Sequence, residues 1–114
     1  MNIFHISSEV FPYSKTGGLA DATAALAKAQ ATAGHMATLV TPLYRGIADS
    51  FPDLEPLGQA ELPAKVWRLK PEPNLTVLFI DAPRLFDRDS LYGHKDDAER
   101  FIFFSKCAVR LAKN

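Results

Sequence analysis

The amino-acid sequence predicts an α/β fold, in which helices flank a parallel sheet, and three observations support this prediction. Residues 2–8 are dense in apolar, partly β-branched side chains, as in a short buried strand. Residues 19–33 are rich in alanine and stop before Gly34, which is typical of a helix and its end. Residues 35–41 form a second strand pattern, which Pro42 closes. Strand, helix and strand in succession make a βαβ unit, which we expect to cross over right-handed into a parallel sheet.

The alanine-rich stretch also predicts which side of the helix packs on the sheet. Small and apolar side chains fall at helical spacing along one face: Leu19, Ala22, Leu26 and Ala29.

Residues 10–14, which precede this helix, must be irregular. Pro12 has no amide hydrogen and disfavours helix at the residue before it.

The second half of the chain adds a third buried strand and a second long helix. Residues 75–81 form a continuous apolar run that ends before Pro83. Residues 84–94 are typical of a polar-aromatic loop. Residues 97–113 carry apolar side chains mostly at helical spacing.

The pattern between the second and third strands is weaker. Residues 42–56 indicate a loop with a helical turn. Residues 57–62 and 64–70, separated by Pro63, favour either a hairpin or two edge strands. Three parallel strands and two helices leave one sheet edge without a partner strand, so we expect self-association through that edge.

Composition excludes several classes of partner. The 114 residues include 13 Lys and Arg against 13 Asp and Glu, so there is no electrostatic reason to expect nucleic acid or an anionic membrane as a partner. No apolar run approaches the roughly 20 residues that span a bilayer, and the N-terminus lacks a signal-peptide pattern, so we expect a cytoplasmic protein. The three histidines have no partners at metal-ligand spacing, so we expect no metal and no cofactor.

The segment after the first strand carries the chemistry. In an open α/β sheet, ligands bind beyond the carboxyl ends of the strands, where this segment lies. Gly17 and Gly18 let a ligand approach the backbone closely, and they precede a helix N-terminus, which favours phosphate. Lys15 adds a positive charge. The segment therefore predicts a diphosphate site, although by spacing alone such a glycine pair is more often only a tight turn.

Two common phosphate motifs are absent. Lys15 precedes the glycines, whereas in the G-x-x-x-x-G-K-[ST] motif the lysine follows them. The G-x-G-x-x-G fingerprint is also missing, which argues against a dinucleotide dehydrogenase.

The full string is more specific than its spacing. Glu-Val-Phe-Pro-Tyr-Ser-Lys-Thr-Gly-Gly-Leu-Ala-Asp, at residues 9–21, closely resembles the N-terminal signature of bacterial glycogen synthases and plant starch synthases. The resemblance continues through Thr-Pro-Leu-Tyr at 41–44, Phe-Ile-Asp-Ala-Pro at 79–83 and Arg-Phe-Ile-Phe-Phe-Ser at 100–105. It implies a retaining GT-B glycosyltransferase of two Rossmann-like domains, of which residues 1–114 are an incomplete N-terminal portion. Such enzymes transfer glucose from ADP-glucose to the non-reducing end of an α-1,4-glucan.

The resemblance also implies site residues. Lys15 would contact the phosphates of ADP-glucose, and Gly17 and Gly18 would supply backbone around the diphosphate and sugar. Glu9 and Asp21 would lie near the donor or acceptor pocket; for these two, a solvated carboxylate and a helix first-turn charge are the structural alternatives.

No catalytic residue is assigned to this chain. The resemblance implies that the remaining groups come from later parts of such an enzyme, so we expect residues 1–114 alone to be inactive. Two alternatives stay open: a stand-alone module that binds a nucleotide sugar or glucan, and a decayed remnant without function.

Overall fold

A computed structural model of the chain describes residues 1–57 and 64–113. These residues contain five strands and four helices. In chain order they are β1 (Asn2–Ile6), α1 (Gly18–Thr32), β2 (Met36–Pro42), α2 (Ile47–Ser50), β3 (Glu55–Pro56), β4 (Lys65–Glu72), β5 (Leu75–Asp81), α3 (Pro83–Phe86) and α4 (Asp97–Lys113).

The strands form one sheet in the order β1-β2-β5-β4-β3. β1, β2 and β5 run parallel, with His5 opposite Leu39 and Leu39 opposite Val77. The predicted α/β fold with three parallel strands is confirmed. The sheet is mixed, however, because β4 runs antiparallel to β5 and β3 antiparallel to β4. Only Pro73 and Asn74 separate β4 from β5, and a two-residue connection can join strands only in the antiparallel sense.

The long elements lie close to their predicted positions. β5 and α4 have the predicted bounds, and β2 is displaced by a single residue. β1 is shorter than predicted because Ser7 and Ser8 leave the strand, although the Ser7 amide still donates to the Val40 carbonyl at 3.0 Å. Apolar periodicity therefore located the elements that build the core.

The antiparallel strands were predicted less well. β4 covers the predicted strand at 64–70, but its partner β3 precedes the predicted 57–62. Residues 58–62 of that prediction lie outside the described residues. The Arg68 Nε donates to Glu55 Oε1 at 2.8 Å, so a cross-strand ion pair accompanies the register of β3 on β4.

The predicted packing face of α1 is wrong. Leu19 and Leu26 are 54% and 51% exposed, and the alanines predicted beside them are exposed as well. The buried side chains are instead Ala20, Ala27 and Ala31. Apolar residues occur on every side of this helix, so their spacing could not identify the buried face. The alanines that are buried let the helix backbone approach β2 and β5 closely.

α4 has the amphipathic pattern that its sequence predicts. Phe104, Cys107 and Leu111 are buried in the core, whereas Ile102 and Val109 on other sides of the helix are about half exposed. Among the helices within 1–57 and 64–113, none combines the length and the apolar character that crossing a bilayer requires.

One edge of the sheet carries exposed apolar side chains. β1 is the terminal strand of the sheet and pairs with β2 alone among the described strands. Phe4 and Ile6 on β1 remain 39% and 43% exposed, whereas Val40 on β2 is fully buried. An apolar edge strand whose outer side has no partner strand is a template for pairing with another strand.

Replacing Ile80 by valine should test the central position of β5. Ile80 is fully buried, so Ile80→Val removes one buried methylene and should lower the free energy of unfolding by about 0.5–1.5 kcal/mol. Ile102→Val is the matched control: it makes the same change at a residue that is 56% exposed, and its effect should stay within about 0.5 kcal/mol. Urea denaturation followed by circular dichroism measures both. Equal effects would contradict the described core.

Candidate functional site

Three loops converge beyond the carboxyl ends of the parallel strands. The loop after β1 contains residues 7–17. The loop after β2 contacts it through Tyr44, and the loop between α3 and α4, which follow β5 in the chain, contacts it through Tyr92. Tyr44 donates its hydroxyl to the Ser8 carbonyl at 2.6 Å. Tyr92 donates its hydroxyl to Glu9 Oε2 at 2.6 Å. The parallel arrangement of the sheet brings these loops together, as expected for strand ends at a common edge.

The Glu9 carboxylate lies inside the first loop. Glu9 is 2% exposed, so the solvated carboxylate considered for it is wrong. Oε1 accepts from the Thr16 amide at 3.0 Å and the Gly17 amide at 3.3 Å, and Oε2 accepts from the Thr16 hydroxyl at 2.8 Å as well as from Tyr92. Burial alone would raise the pKa of Glu9, but the hydrogen bonds from Tyr92, Thr16 and Gly17 outweigh it and lower the pKa below its ordinary value.

The first loop is also anchored by its own backbone and by the core. The Val10 carbonyl accepts from the amides of Tyr13 and Ser14, both at 2.9 Å, and the Ser14 hydroxyl accepts from the Val10 amide at 3.1 Å. The Tyr13 ring packs edge-on against Phe51 and Phe79, with centroids 4.7 and 5.2 Å away. The segment before Lys15 is therefore fixed to the sheet.

Lys15 is accessible, in contrast to Glu9. Its Nζ lies 2.6 Å from Asp21 Oδ2 and 5.5 Å from the centre of the Phe11 ring. The Lys15 and Asp21 side chains are 46% and 48% exposed. Asp21 lies in the first turn of α1, which agrees with a helix first-turn charge. Exposed ion pairs are worth at most about 1 kcal/mol, so an anionic ligand can compete with Asp21 for the ammonium group.

The fold itself does not require the glycine pair. Gly17 has φ −164°, an extended conformation that any residue adopts, and neither Gly17 nor Gly18 has a positive φ. Apart from its chain neighbours and the adjacent helix backbone, a Cβ built at either position would meet no atom of the described residues within 4 Å. The tight-turn explanation therefore lacks support at these positions. The open space beside both glycines is available to a ligand.

The N-terminus of α1 lies at this open space. Gly17 is the N-cap residue, and no side chain caps the helix there. The first amides of a helix have no partners within the helix, and they carry partial positive charge. The Gly17 amide already donates to Glu9, so the first amide of this helix that does not donate to Glu9 is that of Gly18.

A buried arginine holds the loop that carries Tyr92. Arg100 on α4 is fully buried, and its Nε donates to the Leu85 carbonyl at 2.6 Å. Its Nη1 donates to the Leu91 carbonyl at 3.0 Å and to Asp97 Oδ1 at 2.8 Å. Because Leu91 precedes Tyr92, these bonds fix the backbone immediately before the tyrosine.

Tyr92 has a second hydrogen-bond partner. The Ser8 Oγ lies 2.7 Å from the Tyr92 oxygen, and Ser8 must donate because Tyr92 gives its only proton to Glu9. Burial, followed by the bond to Glu9, raises the pKa of Tyr92 to about 12. The hydroxyl therefore stays protonated at neutral pH, and it remains a donor to the carboxylate.

A groove of about 350 Å³ adjoins the loop, on the side of α1 that faces β5. Its lining is mainly apolar and includes Phe11, Ala24, Leu39 and Val77. Gly17 and Gly18 do not line it, whereas Asp21, the partner of Lys15, does.

The sequence predicted Lys15, Gly17 and Gly18 as site residues, and it assigned no role to two residues that hold Glu9. Lys15, Gly17 and Gly18 lie together at the start of α1, as predicted from the loop. Thr16 and Tyr92 were not assigned any role, although both donate to Glu9. Tyr92 lies in the predicted polar-aromatic loop at residues 84–94, and that pattern was the available signal. In the part of the chain that the structure describes, no three His, Cys, Asp or Glu side chains are grouped as a metal site would require.

Comparison with known proteins identifies the family. The family model of the starch synthase catalytic domain matches residues 2–114. The chain belongs to this family. The predicted resemblance to glycogen and starch synthases is thereby confirmed.

Curated relatives of the chain are glycogen synthases. The glycogen synthase of Bacillus subtilis (strain 168) is 40% identical over 121 residues, which cover 99% of this chain and 25% of the relative. That of Opitutus terrae is 38% identical over 123 residues, which cover 96% of this chain and 26% of the relative. The chain thus spans about a quarter of the length of these relatives.

A solved structure shares the fold. The catalytic domain of starch synthase IV from Arabidopsis thaliana, bound to ADP and acarbose, matches with a TM-score of 0.78 and 32% identity. The match covers 96% of this chain and 24% of that structure. The GT-B type fold class predicted from the resemblance agrees with this match.

The burial of Glu9 gives a pH-dependent prediction. Because the folded-state pKa of Glu9 is lowered, its stabilising effect is present above the ordinary value of 4.5 and is lost as pH falls through the folded-state pKa. Glu9→Gln should lower the free energy of unfolding by about 1.5–3 kcal/mol at pH 7, the contribution of a hydrogen bond to a charged group, and by less at pH 3. Urea denaturation at both pH values measures this difference.

Glu72→Gln is the matched control for this measurement. Glu72 lies on β4 and only approaches Lys28 at 3.8 Å, so its replacement should change stability by less than about 1 kcal/mol at either pH. A Glu9→Gln penalty that is the same at pH 3 and pH 7 would contradict a buried, ionised carboxylate.

Proposed function

We propose that this chain is part of a glycogen or starch synthase-type glycosyltransferase and contributes to its ADP-glucose site. In this reaction glucose passes, with retention, from the β-phosphate oxygen of ADP-glucose to the non-reducing end of an α-1,4-glucan. The bond from C1 to the phosphate oxygen breaks, ADP leaves with the electron pair, and the acceptor hydroxyl oxygen bonds to C1 as it loses its proton. We propose the cytoplasm as the compartment.

The observation that carries this proposal is the joint position of Lys15 and the unobstructed glycines at the N-terminus of α1. A diphosphate is anionic, and Lys15 Nζ can reach it by leaving the exposed pair with Asp21. Gly17 and Gly18 leave space for the phosphates and sugar beside the backbone, and the amides from Gly18 onward can donate to them. The structural match bound to ADP and acarbose supports this class of ligand.

Catalysis requires more than this site. The loop offers positive charge and amide donors for the departing diphosphate, but orientation of donor and acceptor together supplies a large part of the rate enhancement. The chain spans about a quarter of its glycogen synthase relatives, and we assign no catalytic residue to it. We therefore propose that residues 1–114 bind without transferring glucose.

A stand-alone nucleotide-sugar-binding module is the second candidate function. It is favoured by the fact that all four donors to Glu9 lie within this chain, so the loop is organised without any further segment. Such a module would bind ADP-glucose through the same residues, but the protein to which it belongs would have no transferase activity.

Lys15→Ala should weaken the binding of ADP-glucose. Loss of the charge-assisted contact to phosphate should raise the Kd at least about tenfold, as measured by isothermal titration calorimetry or by amide shifts in NMR spectra. Lys28→Ala is the matched control, because Lys28 lies on α1 with 66% of its side chain exposed and does not belong to the proposed site. An unchanged Kd in Lys15→Ala, or no binding by the wild type at millimolar ADP-glucose, would contradict the proposed site.

We also propose that the chain self-associates through the β1 edge. The molar mass measured by light scattering should rise with protein concentration, and Phe4→Lys should return it toward the monomer because an edge lysine opposes strand pairing. Ile102→Lys is the control: it adds the same charge at an exposed position on a helix, α4, where it does not oppose strand pairing. A wild-type chain that is monomeric at all concentrations would refute this proposal.

A further inference from the structure

All acceptor positions of the Glu9 carboxylate are in use. A carboxylate has about four lone-pair sites, and Glu9 receives four donors: two backbone amides, the Thr16 hydroxyl and the Tyr92 hydroxyl. The residue is 2% exposed. Glu9 therefore has neither the surface nor the free acceptor sites to bind a ligand directly, and any part it has in binding must act through its neighbours.

Those neighbours are the residues that form the proposed site. Thr16 lies between Lys15 and Gly17, and the amides of Thr16 and Gly17 both donate to Oε1. Two adjacent amides held by one oxygen fix two successive peptide planes, because each peptide unit is planar. The direction of the backbone from Lys15 to Gly18 is thereby set before any ligand arrives.

The loop between α3 and α4 fixes the carboxylate in turn. Tyr92 donates to Oε2, which leaves Oε1 for the two amides. The backbone before Tyr92 is held by Arg100 through the Leu91 carbonyl, and the Tyr92 oxygen is held by Ser8. Residues far apart in the sequence thus connect α4 to the first loop.

We propose that Glu9 is a positioning residue of the nucleotide-sugar site, and that Tyr92 and Thr16 act with it. Its carboxylate holds residues 15–18 in the conformation that presents the Gly18 amide and the Lys15 ammonium group to the diphosphate. This inference rests on the proposed function. A loop that is already ordered before binding loses less conformational entropy when the ligand arrives, so loosening it lowers affinity without removing any ligand contact.

The test compares ADP-glucose binding among variants of the 114-residue chain. Glu9→Gln and Thr16→Val should each raise the Kd by about tenfold, the factor that corresponds to one hydrogen bond to a charged group. Thr16→Ser keeps the hydroxyl and should bind within about twofold of the wild type. Lys15→Ala is measured alongside as the direct-contact variant.

Amide hydrogen exchange in the ligand-free chain supplies the second readout. Weaker hydrogen bonds to residue 9 should speed the exchange of the Thr16 and Gly17 amides in Glu9→Gln, while the amides of α4 keep their protection. A general loss of stability would instead speed exchange throughout the core.

The outcomes separate this inference from the proposed function. If Lys15→Ala weakens binding while folded Glu9→Gln and Thr16→Val bind like the wild type, the positioning role is overturned and the proposed function stands. Absence of binding by the wild type overturns both. If Glu9→Gln fails to fold, Thr16→Val against Thr16→Ser decides, because that pair differs in the hydroxyl that reaches Glu9.

Discussion

Four hydrogen-bond donors from two loops meet at the Glu9 carboxylate, and the shape of the candidate site depends on this convergence. A buried carboxylate without partners would be strongly unfavourable, whereas one with four donors can stay ionised and hold its surroundings in place. The sheet makes the convergence possible, because β1 and β5 run parallel and deliver their following loops to the same edge. Hydrogen bonds through Tyr92 connect the Glu9 carboxylate to α4, and those from Thr16 connect it to the start of α1.

The site combines fixed and movable parts. Glu9, Tyr92 and the backbone of residues 16–17 are held by hydrogen bonds, while Lys15 is held only by an exposed pair with Asp21. This division would suit the proposed binding of a diphosphate: the amides would need no rearrangement, and the Lys15 ammonium group could move to meet the ligand. The open space at Gly17 and Gly18 completes the arrangement, since neither glycine is needed by the local backbone conformation.

Elements whose residues are neighbours in the sequence could be located from the sequence alone. The continuous apolar run of β5, the periodicity of α4 and the loop with Lys15, Gly17 and Gly18 could all be located from neighbouring residues. The buried face of α1 could not be located, because alanine occurs all around the helix and only tertiary packing selects the side. The two-residue strand β3 exists only through its pairing with β4. The surroundings of Glu9 were also out of reach, because Tyr92 is 83 residues further along the chain.

A crystal structure of the chain with ADP-glucose would test the arrangement most directly. We expect Lys15 Nζ to leave Asp21 for a phosphate oxygen, the Gly18 amide to face the diphosphate, and Glu9 to keep its four donors without touching the ligand. A diphosphate bound away from Lys15 and Gly18, or a Glu9 carboxylate that gives up Thr16 and Tyr92 to contact the ligand, would contradict this arrangement.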